Sequence, residues 1–278
     1  MLPFSINDDL CTRCGLCVLD CPMQILTQQG DSVPRIKPEQ ETLCMQCQHC
    51  LAVCPSAALS ILGKNPNDSI PLKDGSFPNF ETMDRFVRGR RSVRQYRDQN
   101  VDQALIDRLM KTLANAPTGV NRRELIFTLI DDKETMLRLK DKLLRSLAAA
   151  SVAGRIPERL VYLTAAPPAY FERKSDLLFR GAPHALLVSA PPNAPCPRED
   201  VVLATAYFEF LAQSAGLGTV WWGALRMALE TLPELKQLFD LPPSYSYSAI
   251  LFGVPAVHYA RTVQRDDAAV VKKVTLRE

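Results

Sequence analysis

Beyond residue 100, apolar residues recur at three- and four-residue intervals over two stretches. Within residues 101–114 Ile106, Leu109, Met110 and Leu113 share one face, and within residues 134–147 Met136, Leu139, Leu143 and Leu147 do the same. That period predicts two half-buried helices. Residues 199–215 are apolar on nearly every side, through Val201, Leu203, Ala206, Phe208, Phe210 and Leu211, until Gly216 supplies a C-terminal stop. Such a helix is expected to be buried all round, as at a subunit interface. Short apolar runs at residues 125–130, 185–189, 219–222 and 249–252 have the length and flanks of buried strands. Thr231-Leu232-Pro233-Glu234 reads as a capping box with proline at the first helical position, opening a short helix towards Asp240. Interleaved helices and strands give an α+β or α/β layer fold.

Residues 63–80 carry no sustained period and are rich in Gly, Pro, Asn, Asp and Ser, which marks a boundary. Two domains of unequal size suit a chain of 278 residues that is 47% hydrophobic and 23% charged. A balance of 33 basic against 30 acidic residues argues against nucleic-acid or anionic-membrane partners. No apolar run approaches the roughly 18 to 20 residues that cross a bilayer. The N-terminus also lacks a basic segment followed by an apolar one. A cytoplasmic protein is expected.

Eight of the nine cysteines lie between Cys11 and Cys54. Cys11, Cys14, Cys17 and Cys21 form C-x2-C-x2-C-x3-C before Pro22, and Cys44, Cys47, Cys50 and Cys54 repeat the pattern before Pro55, each cysteine 33 residues on. Two-residue gaps let a loop wrap three sulfurs around one four-iron cluster while the fourth comes from a distance, so the run reads as a duplicated cluster site. Structural zinc generally uses two separated C-x2-C pairs, and disulfides packed this densely would strain their own loops. His49 competes with two complete sets of four thiols and reads as a surface residue. Cys196 has no partner run and reads as a bystander.

On these residues the segment from about 5 to 62 resembles bacterial two-cluster ferredoxins. The resemblance implies that Cys11, Cys14, Cys17 and Cys54 hold one 4Fe-4S cluster, and that Cys44, Cys47, Cys50 and Cys21 hold the other. A domain of roughly 60 residues buries little apolar surface, so the clusters are expected to staple it as well as carry electrons.

Five further segments stand out: Arg88-Gly89-Arg90-Arg91-Ser92-Val93-Arg94; the polar loop from Asn115 through Pro117, Thr118, Gly119 and Asn121 to Arg123; Gly181-Ala182-Pro183-His184; Gly216-Leu217-Gly218-Thr219-Val220-Trp221-Trp222-Gly223; and Gly253-Val254-Pro255 followed by Tyr259, Arg261 and Arg265. In this order and spacing they resemble the nitroreductase family of FMN enzymes, over about residues 84 to 266, particularly the branch with an N-terminal ferredoxin module. The resemblance implies an α+β chain in three parts: a ferredoxin-like domain (1–62), a linker (63–80) and a mixed-sheet FMN domain covered by helices (81–278). It also implies a homodimer with FMN at the subunit interface.

Carried over residue by residue, Arg90 and Arg91 match positions near the FMN phosphate, where guanidinium forks suit a multi-oxygen anion. Ser92 matches a hydroxyl that bonds the cofactor, and Arg94 a basic position beside the N1/O2 edge of the ring. Pro117, Thr118 and Asn121 match the loop that meets the ring. Trp222, Gly223 and Ala224 match the turn close to the flavin, and Arg261 and Arg265 the closing phosphate clamp. Arg123 stands where the family often has Gln. His184, at the head of a strand, reads as a structural histidine. Trp221 and Trp222 are consecutive on a strand and point opposite ways, so at most one lines a flavin pocket.

No Ser-His-Asp set, carboxylate pair, H-E-x-x-H or strand-opening G-x-G-x-x-G is apparent, which disfavours hydrolysis and a Rossmann nicotinamide site. The expected activity is transfer of electrons from a low-potential donor (ferredoxin, flavodoxin or NAD(P)H) through two 4Fe-4S clusters to FMN. The flavin would then reduce a small organic acceptor such as a nitroaromatic, quinone or activated alkene. The alternatives are an electron-transfer or flavin-sensing subunit with no substrate of its own, and an NAD(P)H-dependent nitroreductase with accessory clusters.

Overall fold

The computed structural model describes residues 2–265 and 269–276. It divides into two compact units, one taking in the chain up to Pro78 with Val120–Arg122, the other holding Asn79–Gly119 and the chain from Arg123 onward. Among the described residues no helix is long and apolar enough to cross a membrane.

In the first unit β1 (Phe4–Ile6) is followed by α1 (Leu16–Leu19), β2 (Leu26–Thr27), β3 (Arg35–Ile36), α2 (His49–Ala52) and β4 (Leu59–Ile61). Strand β1 pairs antiparallel with β4, and β2 with β3. The core is small: Ile25, Leu26, Cys50, Leu51, Leu59 and Ile61. The cysteine repeat is also a backbone repeat. Arg13, Gly15 and Gln24 have positive φ, and so do Gln46, Gln48 and Ala57, each 33 residues later. A left-handed non-glycine residue costs about 1–2 kcal/mol, so its recurrence marks a loop shape that both halves require.

The second unit runs α3 (Phe80–Gly89), α4 (Gln103–Leu113), β5 (Ile126–Ile130), α5 (Lys133–Val152), α6 (Tyr162–Phe171), β6 (His184–Ala190), α7 (Pro197–Ser214), β7 (Gly218–Trp221), α8 (Gly223–Thr231) and β8 (Ser246–Gly253). The strands order as β5-β6-β8-β7 with antiparallel pairing, and a parallel bridge between Ser92 and Thr219 makes the sheet mixed. All seven residues of β6 are buried, as the continuous apolar run requires of a strand covered on both faces. Side chains alternate between two cores: Ala185, Leu187, Ala249 and Leu251 pack with α5, α6 and α8, whereas Leu186, Val188, Ile250 and Phe252 pack with α4 and α7.

Three features differ from the sequence expectation. Helix α7 is not buried all round, because Val202, Leu203 and Tyr207 are exposed in the single chain while Asp200, Thr205 and Glu209 are buried. The capping box at Thr231 does not form. Thr231 Oγ1 donates instead to the Met227 carbonyl within α8, Glu234 pairs with Arg155 at 2.6 Å, and residues Pro233–Phe239 are a 3-10 helix. Helix α6 was not anticipated, since Pro167 and Pro168 lie inside it; burial of Leu163, Ala166, Pro167 and Ala169 against its surroundings overrides their poor propensity.

Candidate cofactor sites

In the first unit the chain gathers the thiols into two cages. One is lined by Cys11, Cys14, Cys17 and Cys54, with Leu16, Pro34 and Ala58 among its walls. The other is lined by Cys21, Cys44, Cys47 and Cys50, with Ile25, Leu26 and Met45. Among the described residues no three of His, Cys, Asp and Glu converge closely enough to share one ion. Four sulfurs around a space, not around a point, fit a four-iron cluster and not a single zinc. Burial pushes the Cys50 thiol up to about 12, with the neighbouring Cys47, Cys21 and Cys44 adding like charge. Crowded thiols of this kind need a cationic core to ionise together. His49 is exposed at the rim of the second cage.

In the second unit the chain leaving α3 forms a strap along the sheet edge. The Val93 amide donates to the Thr219 carbonyl at 2.8 Å, Tyr96 bridges to Pro255, and Tyr96 Oη donates to the Val93 carbonyl at 2.8 Å. Glycine permits this approach: a Cβ on Gly218 would lie 2.7 Å from Val93 Cγ1, and one on Gly253 would lie 3.1 Å from Tyr96 Cδ1. Along the strap, Arg90 Nη1 pairs with Glu209 at 3.1 Å. Arg91 Nη2 donates to the Arg88 carbonyl, while Arg91 Nε is buried without a hydrogen-bond partner. A buried guanidinium N–H left open beside a second arginine is what an anionic group would complete. Ser92 is half-buried and Arg94 is exposed, its Nη1 3.3 Å from the Ser92 carbonyl.

Glu209 was not singled out from the sequence. Its carboxylate accepts from Arg90 Nη1, from Thr219 Oγ1 at 3.3 Å and from Trp221 Nε1 at 3.1 Å. A lone acid amid the apolar residues of α7 was the available signal. The two tryptophans separate as strand geometry demands. Trp221 is partly exposed, whereas Trp222 is core, packed 4.8 Å from the Phe179 ring, so Trp222 can offer a ligand only its backbone. Gly223, which follows, is exposed and Ala224 half-buried.

The polar loop is held from α7 as well. Asp200, also missed in the sequence, accepts from the Gly119 amide at 2.9 Å, and Cys196 packs so closely that a Cβ on Gly119 would lie 2.9 Å from its Sγ. Pro117 is exposed, and Thr118 Oγ1 accepts from the Arg123 amide at 2.9 Å. Val120, Asn121 and Arg123 all have positive φ, of 45°, 56° and 56°. For a β-branched residue such as Val120 this is a strained conformation of the kind found at functional loops. Asn121 falls in the first unit, where its Nδ2 donates to the Met45 carbonyl at 2.9 Å. Arg261 and Arg265 lie exposed in irregular chain beyond β8. His184 is fully buried, its Nε2 accepting from the Val101 amide at 2.9 Å, and burial lowers its pKa.

Residues 87–254 match the family model described as the nitroreductase family, and residues 10–59 match that of a 4Fe-4S dicluster domain. The chain therefore belongs to the nitroreductase family of oxidoreductases and carries an iron–sulfur domain ahead of it. A Methanothermobacter thermautotrophicus protein with the provisional name NADH dehydrogenase/NAD(P)H nitroreductase is 23% identical over 188 residues, 66% of this chain and 82% of its own. Among solved structures, a Bacteroides fragilis nitroreductase with bound FMN matches 70% of this chain and all of its own at 18% identity and a TM-score of 0.55. A Desulfitobacterium hafniense nitroreductase with bound FMN does so over 70% and 100%, at 20% identity and a TM-score of 0.52. These likenesses show the fold.

Proposed function

We propose that this chain is a cytoplasmic, homodimeric FMN oxidoreductase that draws electrons from a low-potential donor through two 4Fe-4S clusters and reduces a small organic acceptor of nitroaromatic, quinone or activated-alkene type. The observation that carries the reading is the presence, in one chain, of two four-thiol cages and an arginine strap with an open buried N–H. When bound, FMN supplies the exchange between one-electron delivery by the clusters and two-electron reduction of the acceptor.

The chain's own residues bind and orient these groups. Cys11, Cys14, Cys17 and Cys54 would hold one cluster and Cys21, Cys44, Cys47 and Cys50 the other. Arg91, with Arg90, Arg261 and Arg265, would bind the phosphate. Ser92, Arg94, Pro117, Thr118 and Asn121 would meet the flavin, with the backbone at Trp222, Gly223 and Ala224 close behind. In this reading residues 1–62 form the cluster domain, 63–80 the linker and 81–278 the flavin domain. The exposed apolar stripe of Val202, Leu203 and Tyr207 supports the homodimer, because a second chain would remove it from water.

Anaerobic stopped-flow reduction of the full chain by reduced ferredoxin, NADH or NADPH, followed at the flavin absorbance, tests the electron route. Fast reduction by ferredoxin that is lost in the Cys14→Ser/Cys47→Ser variant is expected. An equal rate in that variant refutes the cluster route, and fast bleaching by NAD(P)H in both proteins moves the donor to the nicotinamide. Absence of steady-state turnover with every acceptor class would make the chain an electron-transfer subunit.

A further inference from the structure

The two halves of the cysteine repeat are alike in backbone but not in the groups they aim at sulfur. Aligned at 33 residues, Cys21-Pro22-Met23-Gln24-Ile25 corresponds to Cys54-Pro55-Ser56-Ala57-Ala58. Ser56 Oγ lies 3.7 Å from Cys54 Sγ, and the Ala58 amide donates to the same sulfur at 3.3 Å. At the matching position of the other half stands Met23, whose thioether has no proton to give. Ser56 and Cys54 are both half-buried, so the contact is only partly open to bulk water.

We infer that Ser56 sets the two clusters at different reduction potentials, raising the cluster of the Cys11, Cys14, Cys17 and Cys54 cage above its neighbour. This rests on the reading that both cages hold 4Fe-4S clusters. Each cluster takes up one electron with no bond made or broken, and the added negative charge spreads onto the thiolates. A hydroxyl donating to one thiolate stabilises the reduced form more than the oxidised one. Solvent acts in the same sense. Cys14 of this cage is exposed, whereas Cys50 of the other is buried, where low polarity opposes the added charge. The charges flanking Cys11 add little: Asp8 is exposed and paired with Arg13, and exposed charges are screened. The first electron therefore settles in the Cys54 cage, and the Cys21 cage fills second.

The test is an anaerobic potentiometric titration of the full chain with dithionite, read by electron paramagnetic resonance, on the wild type, Ser56→Ala and Met23→Ser. Two separate one-electron steps are expected in the wild type. Ser56→Ala should lower the upper step by about tenfold in its redox equilibrium, about 59 mV for one electron, and leave the lower step in place. Met23→Ser should raise the lower step and narrow the gap, and it stands as the independent variant if Ser56→Ala assembles poorly. Unmoved steps in both variants, or equal movement of both steps, overturn the inference. Iron and sulfide analysis of the same wild-type sample separates the levels: a chain with both clusters and unmoved steps refutes the tuning alone, while a chain without two clusters refutes the cage reading and the tuning with it.

Discussion

Replacing Glu209 with Gln should loosen the strap that carries the arginines. In the folded chain Oε1 accepts from Arg90 and Thr219 while Oε2 accepts from Trp221. An amide keeps one acceptor. If its oxygen faces Arg90, its NH2 meets the Trp221 N–H, and that bond is lost together with the charge that strengthened the Arg90 contact. Hydrogen bonds to charged groups contribute about 1.5–3 kcal/mol each. The Glu209 side chain is only 8% exposed, so water does not take over, although Arg90 at 27% is partly solvated. A net loss of roughly 2–3 kcal/mol follows, which for a unit of this size lowers Tm by roughly 4–12 °C. Both tryptophans, Trp221 and Trp222, lie in the second unit, so fluorescence-detected melting reports on that unit. Trp221 emission should shift as its indole N–H loses the carboxylate. FMN should bind several-fold more weakly, and riboflavin should lose less, because only the phosphate depends on Arg90. A melting temperature and emission spectrum both unchanged would refute the claim that Glu209 organises the strap.

Anaerobically prepared protein should contain about eight irons and eight acid-labile sulfides per chain, one four-iron cluster in each cage; chemical analysis giving half of that removes one cluster. Arg91→Ala should weaken FMN about 10- to 150-fold, equivalent to the roughly 1.5–3 kcal/mol of a charge-assisted contact, and fluorimetric titration with unchanged affinity would place the phosphate elsewhere. His184, buried and neutral, has a folded pKa below its ordinary 6.5. The unfolded chain therefore takes up the proton first as pH falls through 6.5, and stability should decline from there towards the folded pKa. Denaturant midpoints that keep the same slope over that window in His184→Gln would show that another group is responsible.

Elements were legible where the signal was local. The run at β6 is apolar on both faces, which only a central strand or a buried helix explains, and its length decides for the strand. The face of α5 was legible because Met136, Leu139, Leu143 and Leu147 repeat at helical spacing, and all four are buried. Partners distant in sequence were not legible. The Thr231 box satisfied a local pattern, but Glu234 goes to Arg155, 79 residues away, and Thr231 turns back into its own helix. Cysteine spacing left open which distant thiol completes each set; the folded chain puts Cys54 with Cys11, Cys14 and Cys17 because β1 and β4 pair and draw the two ends of the unit together. Asp200 and Glu209 escaped notice for the same reason, since their partners Gly119 and Arg90 lie 81 and 119 residues away.

Helix α7 is where these missed residues acquire a common meaning. At about 100° per residue, Val201, Ala204, Thr205, Phe208 and Ala212 fill one half of the helix surface, and that half is buried. Asp200 and Glu209 sit roughly half a turn apart, at its two margins. Val202, Leu203 and Tyr207 occupy the other half and are exposed. Two carboxylates thus border an apolar buried half, while apolar residues also stand on the exposed half. A carboxylate placed in the interior is costly unless donors meet it, and here the donors come from the two segments that matter: the Gly119 amide of the polar loop and the Arg90 guanidinium of the strap. One helix thus pins both candidate flavin-binding segments from opposite margins of its buried half. Its outer half is exposed in the single chain, so that in the homodimer proposed above the subunit contact and the shape of the flavin site would depend on the same eighteen residues.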